Sequence, residues 1–245
     1  MTAYEERTYR VVCREAGLKA FTVRVKETDL WIQAQEDHSQ AAVESILRHR
    51  RGLEAYIEEH PRFLDSLTPL APDPLAPPLV RAMLAAGLAT GTGPMAAVAG
   101  AVAQAVAVDL LALSPQVVVE NGGDIYLCLQ RETVVGLWAG KSPLSGKLGL
   151  KLPASAMPLA VCTSSGTVGH SLSLGRADAA TILARDAALA DAAASALGNR
   201  VHNRGDLAGA VEWVAQHIEG VLGAVAVLDD RLAAWGQVEM LELGG

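Results

Sequence analysis

Residues 162–170 read CTSSGTVGH, which places a thiol, four hydroxyls, two glycines and an imidazole in nine positions directly after the apolar run PLAV. Cys162 and His170 are the parts of a thiol nucleophile and its base, but no neighbouring cation is in the sequence to lower the thiol pKa. Neither Ser164 nor Ser165 lies in a Gly-x-Ser-x-Gly elbow, so a serine hydrolase is excluded. Two readings remain open. One is a polar turn that closes a strand. The other is a loop in which Thr163, Ser164, Ser165, Gly166 and Thr167 offer N–H and hydroxyl donors to a phosphate or ribose, with His170 placed for proton transfer.

Three further stretches carry chemical groups. Gly91-Thr92-Gly93-Pro94 opens an apolar helix, and the free N–H groups and dipole at such a start attract phosphate, although a plain helix-starting turn has the same composition. In Glu120-Asn121-Gly122-Gly123-Asp124 the Asn-Gly-Gly run predicts a hairpin turn. That turn sets two carboxylates at neighbouring strand ends, where they could meet a ligand or simply face water. Asp191 and Ser195 stand four residues apart on an alanine-rich helix and share one face, where Asp191 is expected to be exposed. One carboxylate and one hydroxyl, completed by a carbonyl and substrate oxygens, suit Mg2+, and a merely solvated pair has the same spacing.

The elements that must position these groups form an α+β pattern. AFTVRVK (20–26) and DLWIQAQ (29–35) alternate as a hairpin, and a long helix follows with Val43, Ile46, Leu47, Leu53 and Ile57 on one side. Five prolines between Pro69 and Pro78 predict an extended surface strap over 68–78. Residues 94–113 read as one buried helix. Strands follow at QVVVE, DIYLCL, VVGLWAG, KLGLKL and LAVCTS. A strand to Ala184 gives way to a helix from Asp186 to Leu197, then to a helix capped by Asp206, and VLGAVAVLD and QVEMLEL close the chain as strands. No composition shift divides residues 1–245, so a single domain is expected.

Composition narrows the function. The chain has 245 residues, 51% of them hydrophobic and only 4% aromatic, which supplies a core of Ala, Val and Leu. A net charge of −7 excludes a nucleic-acid footprint, and the basic cluster Arg48-His49-Arg50-Arg51 lies among glutamates as the solvated face of a helix. Met95–Leu113 has eight alanines, four valines and three leucines. Those valines and leucines favour membrane insertion by about 0.3–0.6 kcal/mol each, whereas Asp109 opposes it by about 2.5–3.5 kcal/mol before Gln104 is counted. A core helix is expected there, with no membrane association. The start MTAYEERTYR has no apolar run, and the three cysteines are widely spaced and odd in number, so a reducing cytoplasmic setting is expected.

Six stretches together, KETDL, GTGPMAAVAGAVA, VVVENGGDIYL, AGKSPLS, CTSSGTVGHSLSLGRADA and LADAAASALGN, resemble a family of distant relatives of ApbE, the bacterial FAD:protein FMN transferase. The resemblance implies an ApbE-like fold, antiparallel sheets packed around a buried Ala-rich helix. It implies Mg2+ and FAD or a related nucleotide as cofactors, and a protein acceptor that receives FMN on Thr or Ser; homo-oligomerisation is left open. By position, Asp191 and Ser195 match the metal-binding Asp and Thr, with a third ligand from an alanine carbonyl near Ala97 to Ala99. Gly122, Gly123 and Asp124 match the flavin-proximal turn, beside Asn121, and His170 or Asp124 would be the base. Two family features are absent: MAAVAGAVA holds no lysine, and HSLSLG has no Asp.

Overall fold

A computed structural model describes residues 17–166 and 174–243. The strands are β1 (Lys19–Val25), β2 (Thr28–Ala34), β3 (Val117–Asn121), β4 (Asp124–Cys128), β5 (Thr133–Gly136), β6 (Leu148–Leu152), β7 (Leu159–Ser164), β8 (Ala179–Ala184), β9 (Val221–Leu228), β10 (Arg231–Gly236) and β11 (Glu239–Glu242). Eight of them form one antiparallel sheet in the order β1-β2-β3-β4-β7-β8-β9-β10, and β11-β6-β5 form a second.

The central strands of the large sheet are buried on both faces, which is why β3 and β8 read as continuous apolar runs rather than alternating ones. Ile32, Val119, Tyr126, Cys162, Ile182 and Ala226 point into the core shared with the helices. Val118, Leu127, Val161, Leu183 and Val225 point the other way, into a core closed by Val135, Leu150 and Leu152 of the small sheet. The result is three layers: helices, large sheet, small sheet. The fold is α+β with antiparallel sheets and a buried Ala-rich helix, as the sequence implies.

The helices are α1 (Ser39–Glu59), the short α2 (Arg62–Asp65), α3 (Pro78–Thr90), α4 (Val98–Leu110), α5 (Ala187–Gly198) and α6 (Asp206–His217). The expected 94–113 helix is broken. A 3-10 turn spans Pro94–Ala97, Ala97 leaves helical geometry at φ −111° and ψ 2°, and only then does α4 begin. No single helix among the described residues is long and apolar enough to cross a membrane, and Pro78–Thr90 and Pro94–Leu110 meet at a 107° bend.

Four other details depart from expectation. Asp206 is the first residue of α6 rather than its cap, because its carboxylate accepts the upstream N–H groups of His202 and Asn203. β10 has no counterpart in the sequence reading, since RLAAWG lacks the β-branched residues that mark strands. Leu47 is exposed at 45%, while Ile46 and Leu53 are buried. The basic cluster on α1 is exposed at Arg48 and Arg51, as expected, but it is also tethered. Ser45 Oγ and Arg48 Nη2 donate to Asp109 Oδ2 at 2.5 Å, and His49 Nε2 lies 2.8 Å from the same oxygen. Arg50 donates to Thr28, Glu27 and Glu54. These bonds tie α1 to α4 and to the β1–β2 hairpin.

Candidate functional site

The site forms where the first turn of α4, the helix α5 and the β3–β4 turn converge. Helix starts leave N–H groups without partners, and Ala97, the residue ahead of α4, has no side chain to accept them. Asp191 on α5 takes that role. Its Oδ2 accepts the Gly100 N–H at 2.9 Å. Gln104 on α4 returns the contact, its Oε1 accepting the first N–H of α5, that of Ala187, at 2.6 Å. Each helix thus caps the other. The approach needs glycine at position 100, because a Cβ there would meet the Ala187 carbonyl oxygen and come within 2.9 Å of Asp191 Cβ.

Asp191 is therefore not the exposed residue that its alanine-rich surroundings suggest: it is 9% exposed. Burial raises its pKa to about 7, against the lowering effect of the Gly100 and Ala99 backbone N–H groups. The helix start favours the anion, and desolvation outweighs it.

The second carboxylate comes from the sheet. Gly122 and Gly123, at φ +69° and +110°, make the two-residue turn between β3 and β4. The Gly123 N–H donates to Glu120 Oε1 at 2.9 Å, and Asn121 lies opposite Asp124 in the register. Paired residues share a face, and this face looks toward the helices. Asn121 Nδ2 donates to the Ala99 carbonyl at 3.0 Å, joining the hairpin to α4. Asp124 is 6% exposed, and its Oδ1 has no hydrogen-bond partner. Burial first, then the negative charges of Asp191 and Glu120, push its pKa well above the carboxylate range, with the Cys162 thiol and the Thr163 N–H acting in the opposite direction.

Cys162, paired with Asp124 in the register, faces the same pocket. Burial and the neighbouring charges of Asp124 and Asp191 push its pKa far up, so it is a protonated thiol and not a nucleophile. Alternation along β7 turns Thr163 to the opposite face, where its hydroxyl meets that of Thr181 at 2.9 Å. Ser164 returns to the face of Cys162, and Ser165 and Gly166 follow it, with the Gly166 N–H bound to the Ala177 carbonyl at 2.9 Å. Thr167 and His170 lie outside the described residues. Ser195 is half-buried one turn beyond Asp191 on α5. Gly93 is buried, and a Cβ there would overlap the Ser66 carbonyl, so close packing accounts for its glycine. Asp191, Asn121 and Asp124 thus converge with Ala99 and Gly100.

Sequence reasoning passed over Gly100, Gln104 and the inward face of Cys162. A glycine inside a helical run, at a cost of about 1 kcal/mol relative to alanine, was the available signal for a close approach.

The family described as AbpE bacteria matches residues 10–219. A UPF0280 protein of Methanocella arvoryzae is 41% identical over 222 residues, covering 90% of this chain and 89% of that protein. A UPF0280 protein of Methanocaldococcus jannaschii is 38% identical over 223 residues, covering 89% of this chain and 90% of that one. Among solved structures, the ApbE protein of Thermotoga maritima superposes with a TM-score of 0.56 at 14% identity, covering 88% of this chain and 96% of that one. The flavinyl transferase ApbE of Pseudomonas stutzeri, in its apo form, gives 0.54 at 11% identity, covering 89% and 94%. At those identities the structures show a shared fold. With the match over residues 10–219 and relatives this similar along most of their length, the chain belongs to the AbpE bacteria family, together with UPF0280 proteins and on the fold of ApbE.

Proposed function

We propose that this protein binds the pyrophosphate of FAD or a related flavin nucleotide together with a divalent cation, Mg2+ by its donor chemistry, and that Asp191 and Ser195 hold the ion. The observation that carries the reading is the buried Asp191 carboxylate at the start of α4, within a fold shared with flavin transferases. The residues fit the group. A carboxylate has about four acceptor sites, so the N–H groups of α4 leave capacity for a cation. A hydroxyl one turn away and carbonyls at 97–99 complete a set of hard oxygen donors, as Mg2+ prefers.

Among the described residues no three His, Cys, Asp or Glu side chains are grouped to hold a metal. Mg2+ is ordinarily held by only one or two carboxylates, with water and phosphate filling the remaining positions. When bound, the ion supplies charge that polarises a pyrophosphate. The chain orients that group with the donors at Asn121, Gly122, Ser164, Ser165 and Thr167, and His170 or Asp124 takes the proton of an acceptor-protein hydroxyl as its oxygen bonds to the flavin-side phosphorus and AMP leaves.

A second reading, a ligand-binding protein without transfer chemistry, is favoured by the uncharged stretch MAAVAGAVA and by HSLSLG without its Asp. Incubation with FAD, Mg2+ and a threonine-containing acceptor peptide, followed by chromatography for AMP, separates the two. Release of AMP supports flavin transfer or pyrophosphate cleavage, and tight binding with no AMP supports the second reading. Failure to bind any flavin nucleotide overturns both.

A further inference from the structure

We propose that Asp124 is a ligand of the same cation as Asp191, so that the ion sits between two carboxylates brought from the sheet and from α5. This rests on the metal reading above and replaces the role of Asp124 as base, which leaves that role to His170.

The geometry carries the inference. Asp124 Oδ1 is buried and has no hydrogen-bond partner, while the residue is only 6% exposed. Burying a carboxylate oxygen without a partner is costly, and native proteins keep such groups mainly where a ligand or ion completes them. The Cys162 thiol and the Thr163 N–H hydrogen-bond the Asp124 carboxylate, and the charges that act on it, those of Asp191 and Glu120, are both negative. Two carboxylates facing one another in a low-dielectric pocket repel, and a dication between them turns that repulsion into attraction.

Position agrees with charge. Asn121, opposite Asp124, holds the Ala99 carbonyl, and Gly100, the next residue, holds Asp191. Asp124, the Ala99 carbonyl and Asp191 are therefore brought to one region, and each comes from a helix or strand. An ion there would bind the sheet to both helices.

The test titrates Mn2+ and Mg2+ into the nucleotide-free protein, following Mn2+ by electron paramagnetic resonance and Mg2+ by calorimetry. Wild type is compared with Asp124→Asn and Asp191→Asn, and metal-free thermal midpoints are recorded at neutral pH. Asp124→Asn should weaken ion binding by at least about tenfold, since even outer-shell partners of metals are worth that much. Its metal-free midpoint should be unchanged or higher, because the amide keeps the shape and cannot ionise beside Asp191. A purely structural Asp124 would give the reverse: lower metal-free stability and unaltered ion affinity. If Asp124→Asn binds as wild type does while Asp191→Asn does not, this inference fails and the metal reading stands. If wild type binds neither ion, both fail. Should Asp124→Asn not fold, infrared difference spectra of carboxylate-labelled wild type with and without Mg2+ decide the matter: two perturbed aspartates support the inference, and one overturns it.

Discussion

The Gly100 N–H donates to Asp191 Oδ2 at 2.9 Å across ninety-one residues of sequence, so the cap of one helix is supplied by the side of another. The contact requires that residue 100 have no side chain. In an isolated helix Gly→Ala would gain about 1 kcal/mol. Here the added methyl meets the Ala187 carbonyl oxygen, which is backbone and cannot rotate away. Gly100→Ala should therefore destabilise the protein by about 1–3 kcal/mol, as overpacking does. Urea denaturation measures this, and a gain in stability would show that the two helices are free to part.

The two helices also bond in the other direction. Gln104→Ala removes the acceptor of the Ala187 N–H, so it should cost about 0.5–2 kcal/mol, the range for a lost cap. Gln104→Glu retains an acceptor and should lose less. Thermal midpoints of both variants check the ordering.

The pH dependence of stability should have two opposed windows. Asp191 has its folded pKa raised to about 7 from the ordinary value of 3.8, so the folded state holds a proton that the unfolded state has released. Its stabilising effect is complete below the unfolded value and is lost as pH rises through the folded one. Metal-free protein should thus lose stability from about pH 4 to about pH 7, with Asp124, whose pKa is also raised, adding to the same slope, and Asp191→Asn should make it shallower.

Asp109 behaves in the opposite way. Burial alone would raise its pKa, but hydrogen bonds from Ser45, His49 and Arg48 outweigh it and hold the pKa below the ordinary value of 3.8. Its contribution is present above that value and disappears as pH falls through the folded pKa. Asp109→Asn should remove stability at neutral pH and make acid unfolding below about pH 4 less steep. Calorimetric scans across the pH range would reveal both windows, and a wild-type profile flat from pH 4 to 7 would contradict the assignment for Asp191.

Much of the fold was legible because its signals are local. Asn121-Gly122-Gly123 marked the hairpin, Pro78 and Gly91 bracket α3, and Asp186 caps α5 through the Leu189 N–H. What was not legible depends on distant partners. Asp109 and Gln104 read only as polar residues that oppose membrane insertion, yet each is a tether whose partners lie on α1 or α5. The tethering of Arg48 and His49 was hidden because their acceptor stands some sixty residues away. Asp191 looked exposed because alanine neighbours on a helix do not reveal whether a second helix covers them. The direction of Thr163 followed from strand alternation, which the boundaries of β7 had first to establish.

We propose above that Asp191 holds a divalent cation on which nucleotide binding depends. The direct measurement is a thermal-shift series with FAD, ADP and ATP, each with and without Mg2+, on wild type, Asp191→Ala, Ser195→Ala and Ser195→Thr. Wild type should be stabilised by a nucleotide only when Mg2+ is present, and Asp191→Ala should lose that response. Ser195→Ala should lose less, because a neutral hydroxyl is a weaker ligand than a carboxylate, and Ser195→Thr should retain the response. A wild type that responds to nucleotide only with Mg2+, alongside an Asp191→Ala that responds equally well, would contradict the account.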